Sequence, residues 1–241
     1  MRGDDRGVSE VLGFVLVFGI VIGSVGLLSV VGFQTMTEYQ EGEQLRNAER
    51  GMDALADNFN DVLQSDGIDE RSGELALREG TVTTGGDGAT LKIEVDGDPI
   101  EIDEDEEISL GSFEYSVSGR ADTIAYEGGG VFRGDSSGDV PISEPPIRCD
   151  SERGVAVVSL VVIDAEERSL ASSNVQEFTA VKQETHTEFG DNVTIEFTED
   201  STYQDSWDDV LSTWDDNGDK YRCEEDIDRA LVRLVVIDIE Y

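Results

Sequence analysis

From Val11 to Phe33 the chain carries 23 consecutive residues without a charge. Coiled as a helix rising 1.5 Å per residue, such a run is about 35 Å long, enough to cross a hydrocarbon layer of about 30 Å. An ordinary secretory signal has a shorter apolar core followed by an Ala-x-Ala-like cleavage site, and none follows this run. Arg2 and Arg6 precede it, and the next basic residue after it is Arg46. The excess of positive charge on the cytoplasmic side of membrane spans predicts Met1 inside and the bulk of the chain outside. The 241 residues then leave room for one head domain, or two small lobes, beyond the anchor.

The charge balance narrows the setting. Asp and Glu number 55 against 17 Lys and Arg, a formal net charge of -38, and the only lysines are Lys92, Lys182 and Lys220. So much acid fits either a disordered solvating chain or a folded protein adapted to molar salt, where a Debye length of about 3 Å removes the self-repulsion. The acids alternate with β-branched and aliphatic residues, as in Leu91-Lys92-Ile93-Glu94-Val95, a pattern that still buries a core. We therefore read a folded halophilic protein. No basic patch exists to neutralise phosphates, which argues against a nucleic-acid partner.

Behind the apolar run, Leu45, Ala48, Met52, Leu55, Phe59 and Val62 alternate in steps of three and four, one stripe of an amphipathic helix. The two patterns together predict one helix over 8–65, about 80 Å long if unbroken, with Gly42 and Gly51 as its weak spots. After it the period changes to two. Strands are expected at 74–78, 89–95, 108–117, 123–126, 155–163, 175–181, 193–198 and 230–239, separated by turns such as Gly128-Gly129-Gly130. One short extra helix is expected at 203–214, where Trp207, Val210, Leu211 and Trp214 share a face. The expected fold class is α+β. A long N-terminal helix precedes a mainly antiparallel, sandwich-like head over 66–241, with a joint between two sheet halves near 141–147.

The border between leader and apolar run reads Asp5-Arg6-Gly7-Val8-Ser9-Glu10-Val11-Leu12-Gly13. It resembles the class III signal peptide of archaeal type IV prepilins, in the haloarchaeal form where a basic and a small residue precede the V-S-x-V-x-G pattern. The resemblance implies that a membrane-embedded aspartyl prepilin peptidase cuts between Gly7 and Val8. It would remove a leader over 1–7 and leave the helix as the mature N-terminus, with Arg6, Gly7 and Val8 as the processing residues. The other reading is an uncleaved signal anchor. Bacterial pilins carry a glutamate at the fifth mature position, whereas Glu10 would be the third. It either pairs with the new α-amino group of Val8, in its own or a neighbouring subunit, or snorkels at headgroup level. Gly19, Gly23 and Gly26 share one helix face, a spacing that permits close helix approach in lipid, although glycine is common in membrane helices. The segment Ile124-Ala125-Tyr126-Glu127-Gly128-Gly129-Gly130-Val131-Phe132-Arg133, followed by Glu144-Pro145-Pro146, is similar to pilin-like haloarchaeal proteins. That resemblance supplies no catalytic residue and no cofactor.

Little else points to chemistry. His186 is the one histidine, so no histidine dyad or histidine-rich metal site can be built. Paired carboxylates in so acidic a chain are a solvated surface by default. Cys149 and Cys223 form a disulfide or remain two buried thiols. Asp215, Asn217 and Asp219 stand at the first, third and fifth positions of a calcium-type loop, but Lys220 replaces the sixth-position glycine and Asp226 the twelfth-position glutamate. A plain acidic turn is the favoured reading, and weak calcium binding the other. Asn192-Val193-Thr194 is the one N-glycosylation sequon. The expected function is a type IV pilin-like subunit, a minor one given its large head. It would partner the membrane, the prepilin peptidase and other pilin-like subunits, and present its head at the cell surface for adhesion or capping. The second reading is a monomeric signal-anchored surface binding protein. An anchored enzyme is the weakest, because no nucleophile–base pair appears.

Overall fold

The computed structural model describes residues 4–78, 80–85, 88–117, 121–199, 201–218, 220–223 and 227–241. Within its first helix, side chains are described at 11–30, at 32 and from 42 onward. The chain divides into two compact units, Met1–Arg46 and Asn47–Tyr241. Helix α1 (Asp4–Gln64) accounts for the described part of the first unit and opens the second.

In the first unit, Val11–Val30 is the one span among the described residues long and apolar enough to cross a membrane, with a mean hydropathy of 2.7 and none of it buried. A helix satisfies its own backbone N–H and C=O groups, the condition for standing in hydrocarbon. The two hydroxyls in the span are also satisfied within it: Ser24 donates to the Val21 carbonyl and Ser29 to that of Val25.

The second unit is β-rich. After α1 come β1 (Glu70–Ala76), β2 (Thr81–Gly85), β3 (Thr90–Val95), β4 (Asp98–Pro99), β5 (Ile108–Ser109), β6 (Ser112–Ser116), β7 (Thr123–Glu127), β8 (Gly130–Asp135) and β9 (Gly138–Ser143). There follow β10 (Ile147–Asp150), β11 (Val155–Ile163), β12 (Arg168–Ala171), β13 (Val175–Gly190), β14 (Val193–Phe197), helix α2 (Gln204–Val210), β15 (Asp215–Asp216), β16 (Lys220–Arg222) and β17 (Arg229–Glu240). They form three sheets. The first has the order β1-β13-β17-β11-β10, the second β12-β2-β6-β7-β8-β9 and the third β15-β16-β14-β3-β4, with β5 beside β3. Pairing among the described strands is antiparallel except for β11 and β17, parallel from Val155 beside Arg229 to Ile163 beside Ile237. The chain forms much of the third sheet between those two strands, the long connection that a parallel pair requires. Residues 144–146 carry the chain from the second sheet into the first.

The first sheet packs on both faces along its central strands, β11 and β17. On one, Val158, Leu160, Val232 and Leu234 share a core with Leu91, Ile93, Val193 and Ile195 of the third sheet, and with Trp207 and Leu211 near α2. On the other lies the docked end of α1. Ala48, Met52, Leu55, Phe59 and Val62 are buried. Phe59 stands edge-on to Phe113 of β6 and Tyr126 of β7, and Phe113 stands edge-on to Phe178 of β13. Gly51, expected as a weak spot, lies inside continuous helix. A Cβ there would come 2.9 Å from the Leu75 side chain, so the missing side chain admits β1.

Other local expectations change. The strand expected over 108–117 is broken at Gly111, whose φ of +62° turns the chain between β5 and β6. β13 continues to Gly190, well past residue 181, because β17 offers it hydrogen-bonding partners as far as Ala230. β2, β4, β8, β9, β10, β12, β15 and β16 were not expected. Most are short and carry charged residues, Gly or Pro, and gain strand geometry from their neighbours, whereas β2, Thr-Val-Thr-Thr-Gly, is strand-prone by itself. The extra helix is shorter than 203–214, yet Trp207, Leu211 and Trp214 are all buried.

Candidate functional site

The β7–β8 hairpin ties helix, sheet and α2 together within the second unit. Gly128 (φ +62°) and Gly129 (φ +98°) form its turn, both left-handed as a two-residue hairpin loop demands. A Cβ on Gly128 would come 2.8 Å from the Trp207 ring, and one on Gly129 would come 3.1 Å from Pro146. Asn60 of α1 grips this turn. Its Nδ2 donates to the Gly129 carbonyl at 2.8 Å, and its Oδ1 accepts from the Tyr126 hydroxyl at 2.9 Å. About three helical turns earlier, Glu49 accepts from Arg133 Nη1 of β8 at 2.8 Å. Burial pushes the Tyr126 phenol far above its ordinary range.

Glu127 ends β7 with a fully buried carboxyl. Trp207 Nε1–H donates to its Oε1 at 2.7 Å, and the Ala89 backbone N–H also donates to the carboxyl. Oε2 has no partner among the described residues. Burial raises this carboxyl to about pH 7, against the pull of the Trp207 bond, and the Asp139 and Glu114 carboxylates add to the rise. A carboxyl raised in the folded state binds its proton more tightly there than when unfolded. Its contribution to stability is therefore complete below about pH 4.5 and is lost as pH rises through about 7. Glu127→Gln should accordingly stabilise the protein at pH 8, by on the order of 2 kcal/mol, and change little at pH 4.5. Urea titrations of both proteins at the two pH values check this.

The residues singled out from the sequence fall at separate places. Arg6, Gly7, Val8 and Glu10 lie on α1 backbone, and their side chains are outside those described. At Gly19, Gly23 and Gly26 a Cβ would meet nothing within 4 Å, so that helix face is open. Cys149 on β10 and Cys223 just after β16 are joined by a disulfide, with Cα atoms 5.6 Å apart, which links the first sheet to the third. Asp215 belongs to β15, and the Asn217 N–H donates to the Lys220 carbonyl at 3.0 Å, a turn closed on itself. Asp219 and Asp226 lie outside the described residues. Among the described residues no group of three His, Cys, Asp or Glu is placed to hold a metal ion. His186, on β13, approaches Glu184 at 3.3 Å. Asn192 sits in the turn between β13 and β14, and its Oδ1 accepts from Arg222 Nε at 3.2 Å.

From residue 6 to residue 241 the sequence matches a family of unknown function, DUF7289. The chain belongs to this family. No curated protein and no solved structure matches it. The match runs from within α1, its apolar span included, to the last strand, so the family is defined by that helix and the β-rich unit together.

Sequence reasoning isolated the hairpin as a segment but not its partners. Asn60 was the available signal, a polar residue beside Phe59 at the edge of the apolar stripe. Glu49 and Glu127 could not be told apart from the other acids.

Proposed function

We propose that this member of DUF7289 is a type IV pilin-like subunit, a minor one, anchored by α1 and presenting its β-rich unit outside the cell for adhesion or filament capping. The observation that carries the reading is α1 itself. One helix, Asp4–Gln64, contains an unburied apolar span and, from Ala48 on, a face built into the core of the β-rich unit. A cleavable export signal has no need to be part of the folded unit. A helix retained for assembly does.

In this reading Arg6 and Gly7 present the leader to a prepilin peptidase, and Val8 becomes the first residue. The open face of Gly19, Gly23 and Gly26 receives a neighbouring subunit's helix, and Glu10 neutralises a free α-amino group at the membrane edge. The β-rich unit, read as a sandwich-like head, works by binding rather than by catalysis. Its disulfide suits an oxidising exterior, and its acidic surface suits molar salt. The mature N-terminus tests the proposal. Val8 is expected in cells holding the prepilin peptidase, and the intact leader in cells without it. Glycine at position 7 lets the helix backbone unwind to an extended form in the peptidase's narrow site, so Gly7→Val should also leave the leader in place.

A further inference from the structure

We infer that Asn192 carries an N-linked glycan whose first sugar is seated in the cleft between the β13–β14 turn and the β15–β16 hairpin. Asn192-Val193-Thr194 is the one sequon in the chain. The structure adds a second, independent observation, a cleft of about 560 Å³ lined by Asn192 and Thr194 together with Asp96, Asp215, Asn217, Lys220 and Arg222. That volume lies within the range of about 300–1,000 Å³ common to small-molecule sites.

In the folded unit the asparagine is held in a fixed place. Its backbone carbonyl accepts from the Asp96 N–H at 3.1 Å, which fixes the turn. Arg222 Nε holds Oδ1, and Arg222 is also the ladder partner of Thr194, so one residue is tied to both ends of the sequon. The amide nitrogen Nδ2 then turns away from Arg222, and among the described residues it has no acceptor. Around it are carboxylates, an amide and two cations, the mixture of acceptors and donors that sugar hydroxyls satisfy.

The chemistry needs a sugar donor linked through phosphate to a membrane lipid, and a membrane transferase on the exported side. Nδ2 attacks the sugar's anomeric carbon, and the new N–C bond forms as the C–O bond to phosphate breaks. The phosphate leaves with the electron pair, and Nδ2 gives up one proton to a base of the transferase. Thr194 is only 9% exposed, with β3 on one side of β14 and β16 on the other. A transferase that must read its hydroxyl therefore acts before β16 closes onto β14. The inference rests on the exported placement proposed above.

Mass spectrometry of the chain purified from its own cells tests it. The peptide holding Asn192 should carry a glycan in most copies, should lose it completely in Asn192→Gln and Thr194→Val, and should keep it in Thr194→Ser. An unmodified Asn192 overturns the inference. If the same sample begins at Val8, the pilin reading survives that failure, and if it begins at Met1 both fall. Seating in the cleft has its own readout. Amide exchange over Lys220–Arg222 should be several-fold slower with the glycan than in Asn192→Gln, and equal rates overturn the seating.

Discussion

Phe59→Ala should lower the unfolding free energy of the full chain by about 4 kcal/mol, measured by denaturant titration in detergent at molar salt. Phe59 has no exposed surface, and its ring lies 5.5 Å from Tyr126 and 6.2 Å from Phe113, both edge-on. Truncation would remove the buried ring and leave a cavity where α1 meets the β6 and β7 strands. It would also loosen Tyr126, whose hydroxyl is tied to the next residue of the helix, Asn60. The cavity and the loosened hydrogen bond act at the same place, so the cost stays well above the lower end of the usual range of about 3–5 kcal/mol. Val140→Ala is the control. Val140 is 46% exposed on the edge strand β9, and its loss should cost less than about 0.5 kcal/mol. Similar costs for the two variants would mean that α1 is not packed as described.

Replacing Cys149 and Cys223 together by serine should cost a similar amount, about 4 kcal/mol, through a different mechanism. The bridge closes a loop between residues 74 positions apart, and without it the unfolded chain regains the entropy of that loop. The loop contains β11 to β16 and α2, so the bridge constrains the third sheet's return to the first. Cys223 is fully buried, and a serine hydroxyl there has no evident partner, which adds to the loss. The double variant should therefore unfold at clearly lower denaturant than the parent, and reductant should shift the parent toward it. A shift below 1 kcal/mol in both would show that the bridge adds nothing to the fold's stability.

The parts of this molecule that were legible in advance are those with a long, uniform signal. Twenty-three uncharged residues and a stripe from Leu45 to Val62 can be read only one way, and α1 follows them across Gly42 and Gly51. Strands with strict alternation, such as β3 and β14, and long, mostly apolar runs, such as β11 and β17, were equally plain. What escaped was decided by neighbours far away in sequence. β13 stays extended through a polar stretch because β17 pairs with it, and β8 begins at a glycine assigned to a turn because Gly128 and Gly129 alone complete that turn. Glu127 escaped for a different reason. Among 55 acids only burial marks it, and burial is a property of the folded chain. The parallel pairing of β11 and β17 was hidden as well, since two apolar runs do not state their relative direction.

The central claim is that α1 is kept for assembly after its leader is cut. The direct measurement is the N-terminal residue of the chain taken from surface material sheared off cells that have the prepilin peptidase, and from membranes of cells that lack it. The account predicts Val8 in the sheared fraction and an uncut leader, with no sheared protein, where the peptidase is missing. An N-terminus that is the same in both cells, whether Met1 or a later cut beyond Phe33, would contradict it.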